Sequence, residues 1–161
     1  DWSSDVCSSD LAVYVSNSQM DEMDMIDDIV HEFAHSIEEP YGMEIYGDSK
    51  VRDEFLEKRN VLHDILWQSG YKVPKSFFNN IEYNQEFDMF LYKKVGYQEL
   101  HRLLSGIFIS PYAPTSLREY FATGFTNFFL NPDEHNYLKS VCPQLYNKLF
   151  ELYSEESVDN Y

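Results

Sequence analysis

The chain has 161 residues, of which 43% are hydrophobic and 17% aromatic, which is enough for one compact domain with a substantial core. No stretch approaches the roughly 18 consecutive apolar residues of a membrane span, and a net charge of −16 argues against binding to nucleic acid or to an anionic membrane. The acidity is compatible with a basic peptide substrate, and equally with a surface that is simply kept soluble.

The first eleven residues, DWSSDVCSSDL, match one reading frame through a common short-read sequencing adapter. We therefore treat residues 1–11 as a non-native artefact and residues 12–161 as one domain whose own N-terminal part is expected to be missing. Without the three aspartates of this segment the net charge moves from −16 to −13. Only Cys142 then remains, so no internal disulfide is expected. The cellular location is left open, because the segment that would carry a signal peptide is expected to be missing.

Two elements are predicted at the start of the domain. Ala12–Ser16 is short, β-branched and aromatic, and a polar break follows it, which predicts a strand. The helix that follows, from Asp21 to Pro40, begins with acidic residues and carries an apolar stripe at helical spacing. The stripe consists of Met25, Ile26, Ile29, Val30, Phe33 and Ile37. We expect this helix to be buried on one side.

The middle of the chain alternates helices with irregular segments. A second helix is predicted from Asp48 to about Gln68, and a short one from Tyr97 to Leu104. The pattern from Ile81 to Tyr92 is ambiguous between helix and irregular structure. Two prolines make Ile107–Pro114 an extended piece.

The last third is predicted to be helical. Ser116 and Glu119 have the spacing of a capping box ahead of a helix from Leu117 to Leu130. Shorter helices are predicted from Asp133 to Val141 and from Pro143 onward, before an acidic tail from Glu155 that we expect to fray. The fold class is therefore α+β and predominantly helical, with a small N-terminal strand region.

The pentad HEFAH, residues 31–35, carries the chemistry. His31 and His35 are four residues apart and so lie on one helix face, where both imidazoles can bind one metal ion. Glu32 projects beside that ion, where a general base for a metal-activated water must stand. This is a signature of zinc hydrolases. The alternative is a pair of hydrogen-bonded or exposed histidines without a metal.

A catalytic zinc usually has three protein ligands, and two glutamates compete for the third position. Glu54 follows His35 after eighteen intervening residues, a separation that resembles the gluzincin aminopeptidases. Arg52, Lys58 and Arg59 are interleaved there, which is also typical of an exposed helix face. Glu119 is the other candidate.

Glu119 is favoured by its surroundings. The stretch from Tyr112 to Ala122, YAPTSLREYFA, resembles the anthrax lethal factor family and the related Pro-Pro endopeptidases, in which a tyrosine, six residues, a ligand glutamate and an aromatic-aromatic-alanine run follow HExxH. The resemblance implies a zincin-like protease fold, one catalytic zinc, Glu119 as third ligand and secretion. It also implies that the Tyr112 phenol stabilises the oxyanion. The chain departs from the family in the long segment between His35 and Glu119, and in Thr123, where the family often has a second glutamate.

The sequence therefore predicts a zinc metallopeptidase that acts on peptides or proteins. Zinc is expected on His31, His35 and Glu119, with Glu32 as general base and Tyr112 as oxyanion donor. The substrate is expected to lie extended against the strand Ala12–Ser16. The oligomeric state is left open.

Three other functions stay open. A deformylase-type hydrolase would need a cysteine ligand near a glycine turn. A binding module could keep the zincin fold without activity. The histidine pair could also be purely structural.

Overall fold

The computed structural model describes residues 22–158, with side chains through Glu155. The adapter-like segment and the predicted strand Ala12–Ser16 lie outside the described residues. Within residues 22–158 the protein is predominantly helical and contains no strand, which confirms the predicted helical character. None of the helices in this range is both long and apolar enough to cross a membrane.

Eight α-helices follow one another in the described part of the chain. They are α1 Glu22–Glu38, α2 Gly42–Tyr46, α3 Lys50–Gln68, α4 Gln85–Met89, α5 Tyr97–Leu103, α6 Leu117–Leu130, α7 His135–Val141 and α8 Pro143–Val158. Short 3-10 turns occupy Lys75–Phe78, Ala113–Thr115 and Pro132–Glu134, and a π-helical turn extends α4 through Phe90–Val95. The predicted boundaries of α3 and α6 agree closely with these ranges, whereas α2 was not predicted.

Helix α6 lies at the centre of the fold because it is apolar on most of its surface. Tyr120, Phe121 and Ala122 are fully buried, and α6 packs against both α1 and α8. A Cβ atom on Gly124 would lie 2.3 Å from the Leu145 side chain. The absence of a side chain at Gly124 therefore permits the close approach of α6 and α8.

Helix α1 is buried on a narrower face than its sequence predicted. Ala34 is fully buried, and Val30 and Ile37 pack against the core. Ile29 and Phe33, in contrast, are 42% and 49% exposed. Helix α6 covers only one side of α1, and no other described element packs extensively against the remaining apolar stripe.

The segment Ile107–Pro114 is not extended as predicted. It contains bends and turns and leads into the 3-10 turn Ala113–Thr115. Both the amide and the hydroxyl of Thr115 donate to the Tyr112 carbonyl, at 3.1 and 2.8 Å. Proline restricts its own φ and the preceding residue, but it does not specify these hydrogen bonds.

Candidate metal centre and groove

The two histidines lie in the last two turns of α1, as their spacing requires. Their ring centroids are 4.9 Å apart and the ring planes meet at 84°. Both Nε2 atoms face α6, where each lies within hydrogen-bond distance of the same carboxylate.

That carboxylate belongs to Glu119, in the first turn of α6. One of its oxygens is 2.8 Å from His31 Nε2 and the other is 3.1 Å from His35 Nε2. Ser116 Oγ accepts the Glu119 amide hydrogen at 3.1 Å, so the hydroxyl half of the predicted capping box is present. The carboxylate faces the imidazoles instead of completing the box. His31, His35 and Glu119 each offer one ligand atom, and these atoms all lie within 4.8 Å of one another.

The Glu119 carboxylate carries the negative charge of this cluster. Burial raises the pKa of Glu119, but hydrogen bonds from His31 and His35 outweigh it and hold the pKa at about 2. Burial lowers the pKa of His31, but the hydrogen bond and charge of Glu119 produce a net rise. Glu119 is therefore ionised at neutral pH, and its negative charge lies between the two imidazoles.

Glu54, the competing candidate for the third ligand, lies outside the metal cluster. Its carboxylate accepts hydrogen bonds from Tyr120 Oη at 2.6 Å and from the amides of Gln144 and Leu145 at 2.7 and 3.2 Å. It is buried rather than on the exposed helix face that the neighbouring charges indicated. Glu54 thereby caps the N-terminus of α8 and holds α6, since Tyr120 is the residue after Glu119.

The remaining histidines make local contacts outside the cluster. His63 Nε2 lies 3.1 Å from the Val73 carbonyl oxygen and His135 Nε2 lies 2.6 Å from that of Phe128. His101 is on the exposed side of α5. None of these three histidines belongs to the cluster of His31, His35 and Glu119.

A groove of about 1060 Å³ opens beside the cluster. Glu32 and Tyr112 line it together with His31, His35 and Glu119. Burial and the nearby charge of Glu119 raise the pKa of Tyr112. Its phenol therefore stays protonated at neutral pH and is available as a hydrogen-bond donor.

The groove wall contributed by residues between α3 and α6 was not predicted. It includes Tyr83, Asp88, Met89, Tyr92 and Tyr97. Tyr83 Oη donates to Asp88 at 2.6 Å, and this hydrogen bond raises the pKa of Tyr83 to about 12. The high aromatic content was the only sequence signal for this wall, and it does not distinguish core from groove residues.

Two features next to the ligands were also missed or left open. Glu38 is buried one turn after His35 and lies 3.3 Å from Arg118 Nε, and burial raises its pKa. Thr123 donates its hydroxyl to the Glu119 carbonyl at 2.7 Å.

A family model described as "Anthrax toxin lethal factor, N- and C-terminal domain" matches residues 5–152. Neither the search of curated proteins nor the search of solved structures gave a match.

Proposed function

The chain belongs to the anthrax lethal factor family, and from this premise we propose that it is a zinc-dependent endopeptidase with a zincin-like catalytic domain. The family match supports the relationship to the toxin. The activity is inferred from one observation, the convergence of His31, His35 and Glu119 beside Glu32 in an open groove.

The donor set fits zinc. Two imidazole nitrogens and one carboxylate oxygen form the His₂Glu set of catalytic zinc sites, which leaves a fourth position open. Ligand bonds of about 2.0–2.2 Å require the donor atoms to lie close together, and the Glu119 oxygens are 2.8 and 3.1 Å from the two imidazole nitrogens. The cluster also borders the groove, so a substrate can reach it.

Glu32 is the proposed general base. When bound, zinc would lower the pKa of a water molecule and polarise the scissile carbonyl. The Glu32 carboxylate lines the groove beside His31, so it can accept a proton from the attacking water and then protonate the leaving amine. The Tyr112 phenol can donate a hydrogen bond to the carbonyl oxygen as negative charge develops there.

The proposed substrate is a peptide or protein segment bound in an extended form. The groove is open, and residues of α1, of α6 and of the segment between α3 and α6 line it. Asp27, Asp28 and Asp88 line it together with Glu32, which is compatible with a basic peptide.

Peptide-library cleavage tests the proposal. We expect the zinc-loaded chain to cut internal peptide bonds, and Glu32→Gln to bind zinc normally but to cut at least about 10²-fold more slowly. Glu39→Gln, an exposed substitution just beyond α1, is the matched control and should retain wild-type turnover.

Three outcomes would contradict the proposal. Zinc binding without cleavage by the wild-type chain would favour the inactive binding module. Undiminished turnover in Glu32→Gln would remove Glu32 from the mechanism. A chain that purifies without stoichiometric zinc and is indifferent to chelators would have a structural histidine pair.

A further inference from the structure

Arg59 is a fully buried cation in the middle of α3. Its four hydrogen bonds all end on backbone carbonyls. Nε donates to Pro114 at 2.6 Å and the two terminal nitrogens donate to Thr115 at 3.0 Å, Phe77 at 3.0 Å and Asn80 at 3.2 Å. The guanidinium also lies over the rings of Phe55 and Phe87, 4.8 and 4.5 Å from their centroids.

Two of these carbonyls belong to the 3-10 turn Ala113–Thr115, which precedes α6. Pro114 and Thr115 lie between Tyr112, which lines the groove, and Ser116, which caps α6. The Thr115 amide and hydroxyl bind back to the Tyr112 carbonyl, so the turn is closed on itself. A displacement at Pro114 would therefore be transmitted to both Tyr112 and the first turn of α6.

The other two carbonyls tie the same guanidinium to the loop after α3. Phe77 and Asn80 are on that loop, and the neighbouring Ile81 carbonyl accepts the Leu117 amide at 2.9 Å. The loop and the start of α6 are thus fixed to each other and to α3. The planar guanidinium of an arginine can donate to carbonyls on both segments at once, whereas the ammonium group of a lysine is a compact point charge.

We propose that Arg59 is a positioning residue that holds Tyr112 in the groove wall and Glu119 against the two histidines. It does not contact the site itself, and it acts through the turn at Pro114 and Thr115. The identity of the bound metal rests on the proposed function, but the anchoring of the turn does not.

Arg59→Lys tests this role because it keeps the positive charge but lacks the fixed planar arrangement of guanidinium donors. Three readouts are needed on the full chain: the visible absorption of bound Co²⁺, the affinity for Co²⁺, and hydrogen exchange across residues 112–119 in the metal-free protein. We expect roughly tenfold weaker Co²⁺ binding, an altered spectrum and faster exchange in this segment. Arg102→Lys, at an exposed arginine paired with Glu99, should match the wild type in all three.

A purely structural role gives a different pattern. Arg59→Lys would then lower thermal stability while the Co²⁺ spectrum, the Co²⁺ affinity and exchange across residues 112–119 stay at wild-type values, and this result overturns the proposal. If the wild-type chain binds no Co²⁺, the proposed function fails, and the exchange measurement alone still decides the anchoring role.

Phe87→Leu provides a second variant in case Arg59→Lys does not fold. It retains Arg59 but removes one of the two rings that flank the guanidinium. We expect smaller changes in the same direction. Wild-type exchange across residues 112–119 in folded Phe87→Leu would then overturn the proposal.

Discussion

Glu119 is the residue on which the candidate metal centre depends. Its backbone amide belongs to the helix cap, while its carboxylate faces two imidazoles that lie 88 and 84 positions earlier in the chain. The sequence identified this residue through Tyr112 and the aromatic-aromatic-alanine run. Spacing from the histidines alone would not have separated Glu119 from Glu54, because the fold, and not the chain length, decides which carboxylate reaches them.

Glu119→Ala should lose zinc. The variant removes the only carboxylate in the three-residue cluster, so two imidazoles are left to hold the ion. Equilibrium dialysis with zinc measurement should give substoichiometric binding, with full binding in Glu44→Ala, an exposed glutamate of α2. Full zinc occupancy in Glu119→Ala would contradict the assignment.

Tyr112→Phe should retain zinc and slow turnover by about 10²–10³, the usual effect of removing one oxyanion donor. The effect should fall on kcat because the hydrogen bond strengthens as charge develops. Tyr137→Phe, an exposed tyrosine outside the groove, is the matched control. A wild-type kcat in Tyr112→Phe would exclude the phenol from the reaction.

At the scale of elements, α3 positions α6 through two buried side chains of opposite charge. Glu54 holds Tyr120 and the start of α8, and Arg59 holds the turn before α6. Periodicity predicted α3 and α6 because apolar residues recur on one face of each helix. Periodicity could not predict that the charged side chains of Glu54 and Arg59 are buried. Their burial depends on backbone carbonyls and amides that distant segments supply.

Glu54→Gln should destabilise the metal-free fold by about 1–3 kcal/mol, because it weakens hydrogen bonds to a buried carboxylate. Zinc binding by the folded fraction should persist. Chemical denaturation measures the change, and Glu57→Gln, an exposed residue one turn later on α3, should differ little from the wild type. Loss of zinc from fully folded Glu54→Gln would revive Glu54 as a ligand.

Gly124→Ala should destabilise the contact between α6 and α8 by about 1 kcal/mol or more, because overpacking outweighs the better helix propensity of alanine. The new Cβ would meet the buried Leu145 side chain. Gly42→Ala is the control, since its Cβ would meet no atom within 4 Å. Equal or greater stability of Gly124→Ala in thermal unfolding would show that Leu145 can move aside.

At the scale of the whole molecule, helices from distant parts of the chain meet at one groove. Helix α1 supplies the histidines, α6 supplies Glu119, and the long segment between them supplies a tyrosine-rich wall. The sequence predicted the histidines from their spacing, and it predicted Glu119 from the resemblance of residues 112–122 to the anthrax lethal factor family. It did not predict the wall, because Tyr83 lies in the loop before α4 and Asp88 lies in the five-residue α4, and neither segment has a comparable pattern.

The most direct test of the central claim is anomalous diffraction at the zinc absorption edge from crystals of the zinc-loaded chain. We expect a single strong peak bounded by His31 Nε2, His35 Nε2 and a Glu119 carboxylate oxygen, with bonds of about 2.0–2.2 Å. A fully occupied peak elsewhere, or none at these three residues in a chain saturated with zinc, would contradict the proposal.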